Sequence, residues 1–199
     1  MIPPLLFIDS LMKYINKPYY IGLLSASALY GAAHQRPQEF FVINQLPPLR
    51  PTTRKGVKIN YIGRIDIPVN FLEQHKTEAG YVKVSNPVLT ALDLLQYEKH
   101  IGGINRAATV INELADIIKP ENFTDELVSF SQVVMLQRLG FLLEKTAGKK
   151  DLADKLYSEI SNKYREWKRM PLKAGKPEKG FSSDLKWKII VNTEIEIDE

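Results

Sequence analysis

Basic side chains that could bind an anion recur between residues 34 and 64. No acidic residue lies between Phe40 and Ile65, whereas arginines and lysines are frequent there. An arginine at a turn or on a strand can form two parallel hydrogen bonds to a phosphate or a carboxylate. The sequence therefore predicts a binding surface, called the first basic surface, made of His34, Arg36, Arg50, Arg54, Lys55, Lys58 and Arg64. The alternatives are ordinary solvated charge and, for His34, a hydrogen-bonded helix end.

A second basic region lies nearer the C-terminus and contains Lys163, Arg165, Lys168 and Arg169, followed by Lys173, Lys176 and Lys179. Tyr164 and Trp167 are interleaved with these cations, and aromatic rings among cations can stack on exposed bases. At helical spacing, however, the two rings share one face, which favours a role as core anchors beside solubilising charge. If the two basic regions met in the fold, phosphate binding would be favoured.

Arrangements that could carry catalysis are sparse. The three histidines are far apart in sequence and there is no cysteine. Two acid-x-lysine triplets, Glu166–Lys168 and Asp184–Lys186, have a spacing used by metal-dependent nucleases, in which the acid binds the ion and the lysine faces the phosphate. Neither triplet has an upstream aspartate on an obvious neighbouring strand. We therefore predict no catalytic residues, no metal and no cofactor.

The N-terminal half is predicted to form a helical hairpin followed by a sheet. Apolar residues at helical spacing indicate a short helix over residues 4–16, which Pro18 stops. Small residues from Ser25 to Ala33 indicate a second helix, beginning near Tyr19, that another element can approach closely. These helices form the hairpin at 1–38, and alternating residues predict a sheet over 39–85.

The C-terminal half is predicted to be mainly helical. Asn86-Pro87 and Thr124 are expected helix starts, and Gly102-Gly103 separates two helices within 86–168. Asp93 is expected to be a buried acid paired with Arg138 or Arg106. A closing strand over 185–193 should return to the sheet. The predicted fold class is α+β, with a small, mainly antiparallel sheet packed against a helical array.

Composition limits the class of protein. The 199 residues include 44% hydrophobic residues, enough for a core, and we expect a single domain. The net charge of +4 is mild for a dedicated nucleic-acid binder. The sequence lacks a membrane-length apolar run and a signal-peptide pattern, so we expect a cytoplasmic protein without a membrane partner.

Several motifs occur in one order: LLSASALYGAAHQRPQEFFVI from Leu23, VSNP from Val84, TALDLLQY from Thr90, Gly102-Gly103, QRLGFLL from Gln137 and WKIIVN from Trp187. Together they resemble the C-terminal domain of the AbiEi antitoxins over about Phe7 to Asn192. The resemblance implies a type IV toxin-antitoxin system for abortive infection and phage defence, in which the antitoxin opposes a nucleotidyltransferase-like toxin encoded beside it. Family members typically carry an N-terminal winged-helix domain that binds the operon's promoter, and we do not expect that domain in this sequence.

We therefore predict a non-enzymatic antitoxin that acts by binding to nucleic acid or to a component of the toxin's pathway. The first basic surface is the expected contact region, and transcriptional regulation of the operon is a further hypothesis. The toxin is expected as a functional partner, with DNA or RNA as candidate ligands and no predicted oligomeric state. The alternatives are a metal-dependent nuclease-like enzyme and a structural dimerisation module.

Overall fold

The structure is a computed structural model that describes residues 3–32, 38–54 and 56–197, and of Arg54 it describes the backbone. The chain divides into two compact units, Met1–Thr90 and Ala91–Glu199. Helices and two separate sheets occur together, which confirms the α+β class. Within the described ranges, no helix has the length and apolarity needed to cross a membrane.

The described part of the N-terminal unit contains a six-stranded sheet. Its strands are β1 (Tyr19–Ile21), β2 (Glu39–Gln45), β3 (Thr52–Arg54), β4 (Val57–Arg64), β5 (Leu72–Thr77) and β6 (Gly80–Ser85). Their spatial order is β3-β4-β2-β1-β6-β5. The pairs β1–β2, β3–β4 and β5–β6 are antiparallel, whereas β2–β4 and β1–β6 are parallel. The sheet is therefore mixed.

The predicted helical hairpin at residues 1–38 is wrong at its centre, because β1 separates its two helices. These helices are α1 (Ile8–Tyr14) and α2 (Leu23–Leu29). All three residues of β1 are buried. A central strand covered on both faces is apolar at every position, so it lacks the alternation by which a strand is recognised in sequence. Two tyrosines and an isoleucine directly after Pro18 nevertheless favour extended backbone.

One core cluster of the N-terminal unit lies on one face of this sheet. Strand register places Ile21 beside Val42 and Val84, and Val42 beside Tyr61, so these side chains share a face. The full cluster is Ile8, Met12, Tyr19, Ile21, Ala26, Val42, Ile59, Tyr61, Val82 and Val84. The apolar stripe of α1 therefore packs against the sheet, as an amphipathic helix must.

Small residues of α2 allow the close approach that their size predicts. The hydroxyl of Ser25 accepts a hydrogen bond from the backbone N–H of Phe41 at 2.9 Å. A Cβ added to Gly22 would lie 2.8 Å from the Ile43 Cδ1. The helix therefore packs directly on the backbone of β2.

The predicted helix start at Asn86-Pro87 is confirmed. Helix α3 covers Pro87–Gln96 and contains the boundary residue Thr90. The Asn86 Oδ1 accepts a hydrogen bond from the N–H of Leu89 at 2.9 Å. This bond satisfies a donor of the first helical turn that has no partner within the helix.

The C-terminal unit continues with four α-helices in its described part: α4 (Ile104–Leu114), α5 (Asp125–Phe130), α6 (Val133–Lys145) and α7 (Lys150–Lys163). Gly102 and Gly103 have φ of +101° and +99°, a conformation that glycine adopts without strain, and they separate α3 from α4. The Thr124 hydroxyl accepts a hydrogen bond from the Leu127 N–H at 3.2 Å, which confirms the predicted cap of α5.

The predicted return of residues 185–193 to the larger sheet is wrong. Strand β9 (Ile189–Ile190) lies between β7 (Met170–Pro171) and β8 (Ser183–Asp184) in a second, three-stranded sheet. Residues 185–188 form a turn in which Lys188 has a φ of +53°, so the extended pattern that begins at Trp187 is interrupted. Strand partners are non-local, and the alternation alone did not identify them.

Candidate functional site

Within the first basic surface, Lys58 is paired with an acid. Glu39 lies directly beside Lys58 because β2 and β4 are parallel neighbours. The Lys58 ammonium donates to Glu39 Oε1 at 2.9 Å, and the Asn60 amide donates to Glu39 Oε2 at 2.6 Å. The hydrogen bond from Lys58 lowers the pKa of Glu39, which favours the ionised carboxylate. Glu39 lies one residue before the acid-free stretch and was therefore missed.

Two further members lie at one end of the larger sheet. Arg64 ends β4, and its Nη1 donates to the Tyr20 hydroxyl at 2.8 Å. Arg50 is exposed in the connection between β2 and β3. The buried Asn44 shapes the start of that connection, because its amide donates to the carbonyls of Gln45 and Pro47. Arg50 belongs to the first basic surface and its side chain is exposed. It forms no ion pair with another described residue.

The remaining members of the first basic surface give no side-chain geometry. His34, Arg36 and Lys55 lie outside the described residues, and only the backbone of Arg54 is described, in β3. The structure therefore does not test whether this surface assembles.

The second basic region begins where α7 ends. Lys163 is the last residue of α7, and its ammonium contacts Asp125 Oδ1 at 3.3 Å. Arg165, Lys168 and Arg169 follow in irregular backbone and are exposed. Three cations of this region therefore face solvent, while Lys163 is paired across to α5.

Trp167 is partly buried, but the helical spacing proposed for Tyr164 and Trp167 is wrong because α7 has already ended. The Trp167 ring meets Tyr157 edge-on, with centroids 5.6 Å apart. Lys188 lies over the Trp167 ring, with its Nζ 5.5 Å from the centroid. Sequence reasoning did not include Lys188 in this region, since it was assigned to the closing strand.

The triplet Asp184–Lys186 belongs to an ion-pair cluster that also includes residues of α6 and α7. The Lys186 ammonium contacts Glu144 Oε2 and Asp154 Oδ1, each at 2.6 Å. Burial raises the pKa of Glu144, but hydrogen bonds from Lys145, Lys186 and Trp187 outweigh it and lower the value to about 2. Lysine ammonium groups thus occupy the positions between these carboxylates. Among the described residues, no group of three histidines, cysteines or carboxylates could hold a metal ion.

Buried polar side chains support the backbone of the C-terminal unit. Asp93 and Arg138 are both buried. Burial lowers the pKa of Arg138, and the nearby Glu98 opposes that shift. Arg138 donates through Nε and Nη2 to the Pro171 carbonyl at 3.1 and 2.9 Å. Arg138 therefore has a backbone partner that sequence reasoning did not foresee.

The fold is that of an α+β protein with exposed cations in both basic regions. Residues 20–145, more than half of the chain, match the family of AbiEi antitoxin C-terminal domains. The chain belongs to this family. The match connects it with the antitoxins of toxin-antitoxin systems for abortive infection.

A solved structure shows a similar fold at low sequence identity. The crystal structure of the RV2827C protein from Mycobacterium tuberculosis is similar with a TM-score of 0.66 at 13% identity, covering 96% of this chain and 68% of that chain. An antigenic nucleotidyltransferase-like protein from Paracoccidioides brasiliensis gives a TM-score of 0.48 at 12% identity, covering 81% of this chain and 95% of that chain. The second similarity is too weak to support an argument. Among curated proteins, no sequence matches.

Proposed function

We propose that this protein is the cytoplasmic antitoxin of a type IV toxin-antitoxin system and opposes a nucleotidyltransferase-like toxin encoded beside it. The observation that carries the proposal is the family match over residues 20–145, which runs from β1 to the end of α6. Against the nuclease-like alternative, lysines pair with the carboxylates of the Asp184–Lys186 cluster.

The first basic surface is the proposed contact region for nucleic acid or for a component of the toxin's pathway. Arg50 is exposed and available, whereas Lys58 is neutralised by Glu39. Reversing the charge of Arg50, Arg54 and Lys55 together is therefore the sharpest test of this surface, because it leaves the Lys58–Glu39 pair intact.

The experiment is rescue of cells that express the neighbouring toxin from an inducible promoter. Wild-type protein should restore growth, and the triple variant R50E/R54E/K55E should not, while its circular dichroism spectrum stays unchanged. The matched control is K17E/K76E/K83E, which changes the net charge equally at other sites of the same unit and should still rescue. Failure of the wild type to rescue would refute the proposed function. Rescue by R50E/R54E/K55E would refute only the contact surface.

Transcriptional regulation of the operon is a finer part of the proposal. A reporter fused to the operon's own promoter should be repressed when the protein is supplied in trans. Unchanged reporter output would remove regulation from the proposal and leave the antitoxin role untouched.

A further inference from the structure

The stretch from Arg165 to Pro177 is rich in cations and poor in regular structure. It contains five basic residues and one acid, Glu166. Its only strand in the described structure is β7, with two residues. Clustered like charges repel one another, so such a stretch needs an external reason to adopt one backbone conformation.

Three buried polar side chains, called the polar clamp, supply that reason. Gln137, Arg138 and Asn192 are only 1%, 5% and 2% exposed. The Gln137 amide donates to the Lys168 carbonyl at 3.0 Å, and Arg138 donates to the Pro171 carbonyl at 2.9 and 3.1 Å. Gln137 also donates to the Trp187 carbonyl at 2.8 Å, so it joins the basic stretch to the turn before β9.

Asn192 holds the end of the same stretch. Its Oδ1 accepts from the Lys173 N–H at 3.0 Å, and its Nδ2 donates to the Lys173 carbonyl at 2.9 Å. The same Nδ2 lies 3.4 Å from the carbonyls of Lys176 and Pro177. A buried amide that lost these partners would be costly, so the bonds fix the backbone strongly. The polar clamp thus binds one segment at several points between Lys168 and Pro177.

The side chains on this fixed backbone point their charges outward. Lys168, Arg169 and Lys176 are exposed, and Lys188 lies beside them because its carbonyl accepts from the Met170 N–H at 2.9 Å. Within the described ranges these cations form no ion pair; Arg169 reaches the Ser183 hydroxyl at 3.4 Å and Lys176 the Thr193 hydroxyl at 3.0 Å. The result is a set of cations whose backbone is fixed before any ligand arrives.

We propose that the clamped basic segment, Arg165 to Pro177 together with Lys188, binds the phosphate backbone of a nucleic acid. Phosphate oxygens are the natural partners of fixed, unpaired lysines and arginines. Trp167 is partly buried and Lys188 lies over its ring; this aromatic side chain among cations favours nucleic acid over an acidic protein, because bases can stack on aromatic rings next to cations. This proposal adds a ligand to the proposed function. Only the biological role of the nucleic-acid binding rests on that proposed function.

Binding is measured by fluorescence anisotropy with two labelled probes, a single-stranded RNA and a duplex DNA. Four contacts, from Lys168, Arg169, Lys176 and Lys188, predict a slope of log affinity against log salt of about −3 on the single strand and about −4 on the duplex. The probe that binds more tightly identifies the source of the phosphates. Binding of neither probe overturns the proposal, as does binding of an acidic protein alone.

The contact residues are tested with K168E/R169E against K99E/K119E. The control reverses two exposed cations of the same unit outside the segment. We expect K168E/R169E to lose at least about tenfold in affinity and to reduce the slope by about 1.4 on the single strand, whereas the control keeps most of its affinity. Equal losses in the two variants would show a response to net charge alone and would contradict a defined site.

Asn192 is tested as a positioning residue with N192A. N192A keeps all the cations of the clamped basic segment. Its affinity for the probe should therefore fall only about fivefold, whereas the salt slope and the stoichiometry should stay unchanged. T124A, which weakens a helix cap in the same unit, should bind like the wild type. Equal affinity losses in N192A and T124A would show that Asn192 only stabilises the unit in general, and would overturn its role in positioning the basic segment. If the wild-type protein rescues cells but binds neither probe in vitro, the site alone is overturned, whereas failure of the wild type to rescue would overturn the proposed function alone.

Discussion

Replacing Gly140 by alanine should strongly destabilise the C-terminal unit. The indole of Trp187 is fully buried and packs against Gly140 on α6. A Cβ added at position 140 would lie 2.5 Å from Trp187 Cε3 and closer still to Cζ3 and Cη2. These atoms belong to a rigid ring, so relief requires movement of the whole indole or of α6.

The size of the effect follows from two opposing contributions. Alanine is favoured over glycine in a helix interior by about 0.5–1 kcal/mol. Overpacking of a close-packed core costs about 1–3 kcal/mol, and expulsion of a large aromatic side chain costs about 3–5 kcal/mol. Moving the indole would also weaken the hydrogen bond from its Nε1 to Glu144 Oε2, which measures 3.0 Å. We expect a net destabilisation of about 2–4 kcal/mol for G140A.

Urea unfolding followed by tryptophan fluorescence measures this loss. The chain has 2 tryptophans, Trp167 and Trp187, and both lie in the C-terminal unit, so the signal reports that unit. The matched control is S161A, a change at an exposed position of α7. The double variant G140A/W187L provides space for the new methyl group and should be more stable than the sum of the single changes predicts, by more than about 1 kcal/mol. A G140A protein within about 0.5 kcal/mol of the wild type, or an additive double variant, would refute the steric argument.

Two further changes test the ion-pair cluster and a helix cap. Glu144 has a pKa lowered to about 2 from the ordinary 4.5, so its contribution to stability is complete above pH 4.5 and is lost as the pH falls toward 2. The Glu144 side chain is 15% exposed, and we expect this contribution to be about 2–3 kcal/mol. In urea titrations between pH 5 and pH 2, E144Q should remove that part of the acid sensitivity. An unchanged pH profile would contradict the role of Glu144 in stability. N86A removes the acceptor for the Leu89 N–H and should cost about 1 kcal/mol by circular dichroism, whereas no loss would show that Asn86 does not stabilise α3.

Local signals in the sequence were sufficient for most helices. Asn86 and Thr124 mark helix starts through a hydrogen bond made within three residues, and both bonds are present. The glycine pair before α4 is recognisable for the same reason, since a positive φ is a property of the residue itself. Features decided within one turn of backbone are therefore predictable from the sequence alone.

Features decided by distant partners were predicted poorly. β1 was assigned to a helix because its strand partners lie at residues 42–44 and 84. The pairing of Lys58 with Glu39 depends on the parallel register of β2 and β4, which composition does not reveal. The second sheet was missed because two-residue strands carry almost no pattern.

The candidate site follows the same division. The exposure of Arg165, Lys168 and Arg169 follows from their charge and was predictable. The polar clamp was not, although Gln137, Arg138 and Asn192 all lie in motifs that carry the resemblance to the family. The sequence shows these polar residues next to apolar residues, but only the fold shows to which backbone groups they form hydrogen bonds.

The central position of β1 has a consequence for synthesis of the chain. This three-residue strand joins the β3-β4-β2 part of the sheet to the β6-β5 part. Its contact with β6 links Ile21 to Val84, two residues far apart in sequence. Domains fold in order as the chain emerges from the ribosome. A nascent chain that ends before Val84 therefore leaves one edge of β1 open, and the N-terminal unit closes its sheet only late in its own synthesis.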